Sequence, residues 1–122
     1  MWPYIKDGVA LTLAEANGEA DAEDTKRSLL DGRAKLVIMD EDGGTIGCIY
    51  VFLHMPKYKI ARVLLLFGGP MSRMRSVMDE VEAEWKKQGC RYSEGCVPTE
   101  SRARLFSRFG YKPVYQVVRK KL

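Results

Sequence analysis

The residues best placed to do chemistry in this 122-residue chain lie where an apolar run meets a glycine turn. Val63-Leu64-Leu65-Leu66-Phe67 is followed by Gly68-Gly69-Pro70 and then by the stretch from Met71 to Gln88. An unbroken apolar run suits a strand covered on both faces. The two glycines permit a sharp turn, and Pro70 suits a first helical position, where its missing N–H leaves no bond unmade. Met74, Val77, Met78, Val81 and Trp85 recur at spacings of three and four, which predicts one apolar stripe on an amphipathic helix. The first amides of such a helix have no partner inside it, so the turn can hold an anion. Arg73 and Arg75 stand near this start, where cations oppose the helix dipole. Two readings stand open: they dock a phosphate, or they are solvated surface arginines.

Other chemistry is thinner. Cys48, Cys90 and Cys96 are odd in number and lack CxxC spacing, and His54 is the sole histidine. That argues against a structural zinc site and for free, buried thiols. Arg102, Arg104 and Arg108 lie on one predicted helix, but spacings of two and four spread them around its surface. They read as a solvated face rather than as a recognition helix for sequence-specific nucleic-acid binding.

The elements that must position these residues follow from periodicity. Trp2 to Ala16 predicts a helix stopped by Asn17-Gly18, and Ala22 to Asp31 a second one, burying Leu29 and Leu30 and opened by an N-cap arrangement of Asp21 and Asp24. Ala34–Asp40 and Thr45–His54 read as strands joined by a hairpin turn at Glu41-Asp42-Gly43-Gly44. Ile60–Phe67 gives a third strand, Met71–Gln88 the long helix with Gly89 closing it, and Cys90–Val97 a short strand. Glu100–Phe109 is a helix ended by Gly110, and Lys112–Lys120 alternates as a last strand. The order α-α-β-β-β-α-β-α-β predicts an α/β (α+β) fold: a single domain over residues 1–122, with a mixed sheet and helices on its faces.

With 46% hydrophobic and 30% charged residues, the composition is that of a globular protein rather than a disordered or fibrous one. No apolar run approaches the roughly 18 residues of a membrane span, and the N-terminus lacks a signal-peptide pattern, so a cytoplasmic protein with no membrane partner is expected. The net charge of +4 is unevenly divided. Residues 1–50 carry 5 Lys/Arg against 10 Asp/Glu, whereas residues 51–122 carry 15 against 6. A polyanionic ligand, a nucleic acid or an acidic protein would each fit the basic part.

Two segments carry a resemblance. Ser101-Arg-Ala-Arg-Leu-Phe-Ser-Arg-Phe-Gly-Tyr-Lys-Pro-Val114 resembles the penultimate helix and glycine–aromatic step of the GNAT superfamily of acyl-CoA-dependent N-acetyltransferases. The strand, glycine turn and long helix ending Glu-Trp-Lys-Lys-Gln-Gly-Cys90 resemble the family's cofactor-binding segment. The likeness covers roughly residues 33 to 120 and implies a mixed sheet of about 5–6 strands flanked by about four helices. Trp2-Pro3-Tyr4-Ile5, Leu30-x-Gly32-x-Ala34-x-Leu36 and Gly89-Cys90 further resemble a compact form encoded among virion genes of tailed bacteriophages.

The resemblance implies acetyl-CoA as cofactor, an amine as acceptor, and no metal. It implies that Val63, Leu64 and Leu65 pair through their backbone with the pantetheine arm. Gly68, Gly69, Met71, Ser72 and Arg73 would cradle the pyrophosphate. Two departures stand out: the loop Phe-Gly-Gly-Pro-Met-Ser-Arg is shorter than the family's, and Phe106 stands where many members carry a tyrosine acid. Phenylalanine has no proton to give. His54 and Glu94 are the candidates for the base that takes the amine's proton. Two functions follow: an acetyltransferase, or a catalytically silent module of the same fold that acts through protein or DNA contacts in a phage particle.

Overall fold

The computed structural model describes residues 22–41, 44–97 and 99–122. The expected helix over Trp2–Ala16, and Asp21 of the expected N-cap, lie outside these residues, as do the hairpin's Asp42 and Gly43. The described elements are α1 (Ala22–Leu30), β1 (Lys35–Glu41), β2 (Gly44–His54), β3 (Lys59–Gly68), α2 (Met71–Lys87), β4 (Cys90–Gly95) and α3 (Glu100–Arg108).

The strands form one sheet in the order β1-β2-β3-β4. β1 to β3 run antiparallel, with Lys35 opposite Tyr50 and His54 opposite Lys59. β4 returns parallel to β3 after the α2 crossover, with Lys59 opposite Cys90 and Val63 opposite Gly95. The α/β expectation of a mixed sheet with helices on its faces therefore holds, but with four strands and three helices among the described residues in place of the about 5–6 strands and about four helices expected.

The two faces have different covers. One buries Ile46, Cys48, Tyr50, Ala61, Val63 and Leu66 under Met74, Val77, Met78, Val81 and Trp85 of α2 and Leu105 and Phe106 of α3. Trp85 is 2% exposed and its ring lies 4.8 Å from that of Tyr50. The other face packs Ile49, Leu65 and Phe67 with Ala34 and Leu29. Of the two leucines of α1, Leu29 packs on this face, and Thr25, one turn earlier, is buried too. Leu30 is 77% exposed, contrary to the expectation that both leucines are buried. Successive residues of a helix point about 100° apart, so Leu30 cannot share the direction of Leu29.

The expected last strand over Lys112–Lys120 is not formed; residues 111–122 carry no regular structure, and 112–122 are exposed. Pro113 has no N–H for a ladder, and the adjacent pair Val117-Val118 breaks the alternation that a half-buried strand needs.

Candidate functional site

The unbroken apolar run is accommodated by a bulge. Leu65 pairs with Ile49 and Val63 with Tyr50, which leaves Leu64 as an extra, unpaired residue on β3. Leu64 is 46% exposed, and the extra residue turns Val63 and Leu65 to opposite faces. The last β3–β4 pair is Val63 with Gly95, so the two parallel strands part at the bulge. From Leu64 to Gly68, β3 continues without β4 beside it.

β3 then enters the turn. Gly68 adopts φ +92°, and a Cβ there would collide with the carbonyl of Thr45. Pro70, with φ −78° and ψ 152°, is extended and takes the N-cap place rather than the first helical position, and the helix starts at Met71, as its expected bounds have it. No side chain caps this end, no acidic residue lies in the first turn, and Arg73 N–H bonds the Pro70 carbonyl at 3.0 Å. The amides of Met71 and Ser72 precede the first intrahelical bond, which is the arrangement that accepts an anion.

A groove of about 560 Å³ opens beside this helix start. It is lined by Met71, Ser72 and Arg75 from α2 and by Leu105, Arg108 and Phe109 from the end of α3. Of the expected cradle, Met71 and Ser72 line the groove, whereas Gly68, Gly69 and Arg73 are not among its lining residues. Arg108 was legible only as part of a solvated stripe. Its role depends on α3 packing against α2, which no local pattern encodes.

α3 also reaches into the place where the strands part. Thr99 Oγ1 accepts the Arg102 N–H at 3.2 Å and fixes the helix start. From there Arg102 Nη1 donates to the Leu66 carbonyl at 3.3 Å, across the open edge of β3. Phe106 is 8% exposed and packs on Phe109 and Tyr111. A Cβ at position 95 would lie 3.3 Å from its ring, so Gly95 is the residue that lets this ring sit on the end of β4.

The base candidates separate. His54 pairs with Lys59 at the start of β3, at the opposite end of the strand from Gly68. Glu94 lies one residue before the point of parting and opposite Arg62. Its Oε1 alone accepts from both Arg62 Nη2, at 2.6 Å, and Nε, at 2.8 Å, in a partly buried ion pair. Burial works to lower the Arg62 pKa, but the hydrogen bond and charge of Glu94, with Cys96 and Tyr115 adding to them, raise it beyond its ordinary value. Tyr115 joins this pair, its hydroxyl accepting from Arg62 Nη2 at 3.4 Å.

Tyr111 is turned the other way. Its hydroxyl donates to Glu82 at 2.9 Å and makes a short contact with Ser93 Oγ. Burial pushes the Tyr111 phenol up, with the neighbouring Glu82 charge adding to it. Burial likewise raises the Glu82 carboxyl, against the pull of the Tyr111 hydrogen bond. Cys48 lies in the same core with its thiol pushed up to about 12, chiefly by burial and then by the Glu82 charge. It is a protonated core residue rather than a nucleophile. Cys90 is half-buried, and Cys96 is exposed, against the expectation of buried thiols. Among the described residues no cluster of His, Cys, Asp and Glu has the makings of a metal site, and no helix is long and apolar enough to cross a membrane.

No protein-family model matches the chain, and no curated protein matches it in sequence. Solved structures do match in shape. One described as a probable acetyltransferase superposes with a TM-score of 0.61 at 7% identity, over 93% of this chain and 85% of the other. A transcriptional regulator from Bacillus halodurans C-125 superposes with a TM-score of 0.56 at 12% identity, over 82% of this chain and 73% of the other. At these identities the likeness is one of fold alone: the chain shares the fold of a structure described as a probable acetyltransferase.

Proposed function

We propose that this protein binds an acyl-CoA, acetyl-CoA in the simplest case, in the cleft where β3 and β4 part, and passes the acyl group to an amine. The observation that carries the reading is the bulge at Leu64. It ends the β3–β4 pairing at Val63 and Gly95, on the strand that runs on through Gly68 to an uncapped helix start, beside a groove lined by Arg75 and Arg108. An extended amide-bearing arm can pair with the open β3 edge at Leu64–Leu66. A pyrophosphate suits the Met71 and Ser72 amides, with the two arginines of the groove to neutralise it. When bound, the coenzyme supplies an activated thioester.

The chain's part is to align and polarise. A bound acyl-CoA would give its acyl group to the amine by exchange of its C–S bond for a C–N bond, and the sulfur would take its proton from solvent, since Phe106 has none to give. Glu94 rather than His54 takes the amine's proton in this reading, because it borders the parting of the strands. The test is release of free CoA thiol from acetyl-CoA with polyamine and lysine-peptide acceptors. Thiol release that needs an acceptor and falls about a hundredfold or more in Glu94→Gln supports the reading; hydrolysis without an acceptor, or no release with any of them, overturns it.

A second reading rests on Arg102 and Phe106. An arginine on the Leu66 carbonyl and a buried phenylalanine at the family's acid position favour a silent module that keeps the fold and binds a partner, such as the bacteriophage component that the sequence resembles. Coenzyme binding without transfer would select it.

A further inference from the structure

The opposite end of the sheet carries a surface that acyl transfer does not use. Lys59 pairs with Cys90 where β3 and β4 begin, which brings Tyr58 beside Arg91 and Tyr92. The Tyr58 and Tyr92 rings meet edge to face at 5.1 Å. The Arg91 guanidinium sits 5.9 Å and 5.6 Å from their centroids. Both rings face water, at 36% and 49% exposed. A shallow apolar hollow of about 210 Å³ adjoins Tyr58, formed with Met55, Pro56 and Lys57.

Several cations lie near these rings, while the carboxylates of this region are engaged, Glu84 by Gln88 and Glu94 by Arg62. Lys59 is engaged locally, donating to the Gln88 carbonyl at 3.0 Å and lying 4.2 Å above the Phe52 ring. That contact ties the end of α2, with Lys86 and Lys87 in its last turn, to the same end of the sheet. Lys57, Lys86, Lys87 and Arg91 are exposed, and among the described residues none of them forms an ion pair.

Open aromatic faces amid unneutralised cations match a polymer that offers flat rings and anionic links together. A duplex hides its base faces in the stack, so the rings would be idle against it. An acidic peptide would use the cations and leave the rings unused. We propose that this end of the molecule binds single-stranded nucleic acid, bases stacking on Tyr58 and Tyr92 and phosphates meeting Lys57 and Arg91.

The probe is a fluorescently labelled oligothymidylate, read by anisotropy with the whole protein. Binding should weaken steeply between about 50 mM and about 200 mM salt. The matching duplex should bind more weakly, and saturating acetyl-CoA should not compete. Tyr92→Ala should lose about tenfold in affinity, the cost of one base stack, with an unchanged thermal unfolding midpoint; Tyr58→Ala is the independent second variant. The proposal is overturned if polyglutamate displaces the oligonucleotide as well as unlabelled oligothymidylate does. It is equally overturned if the duplex binds as tightly and both tyrosine variants bind as the wild type.

Discussion

Arg102 and Cys48 are the side chains whose placement says most. Arg102 occupies a backbone acceptor that a bound pantetheine arm would use, so the two compete for the Leu66 carbonyl. Arg102→Ala should tighten acetyl-CoA binding by about two- to tenfold, the worth of one hydrogen bond; titration calorimetry measures it, and weaker binding would show that the arginine aids the ligand. Cys48 governs part of the alkaline stability. Its folded pKa is raised from 9.0 to about 12, so its contribution is complete below pH 9 and is lost as pH rises toward 12. The stability gap between wild type and Cys48→Ala, read from urea midpoints, should therefore narrow across that interval.

At the scale of elements, the turn between β3 and α2 carries the tightest constraint. Gly68 combines a positive φ with contact against the Thr45 backbone, so Gly68→Ala should cost about 2 kcal/mol or more. A urea titration would show it, and an unchanged midpoint would contradict the geometry. Most of this was legible in the sequence. The stripe from Met74 to Trp85 predicts the buried face of α2, and Gly68-Gly69-Pro70 marks its start. What was not legible are features set by one element meeting another. The bulge at Leu64 reflects how β2 and β4 flank an apolar run that no periodicity resolves. The exposure of Leu30 depends on which side of α1 meets the sheet. The missing last strand shows alternation outvoted by Pro113 and by the adjacent valines.

Across the whole molecule, the parallel pair β3–β4 sets the two proposed sites at its opposite ends. The strand ends beyond Val63 and Gly95 open toward the α2 start and the groove, while the strand beginnings at Lys59 and Cys90 carry the tyrosines and cations. The basic balance of residues 51–122 is thus shared between both ends, with Arg75 and Arg108 at one and Lys57 and Arg91 at the other. The sign of this charge was legible in the residue types but its division was not, because division needs the register of the parallel pair. The proposed coenzyme cleft is tested most directly by titration calorimetry of acetyl-CoA into the wild type and into the double variant Arg75→Glu, Arg108→Glu. Saturable binding in the wild type, weakened at least about tenfold by reversal of two exposed charges without loss of fold, is the predicted result. No binding by the wild type at millimolar coenzyme, or equal affinity in the double variant, would contradict it.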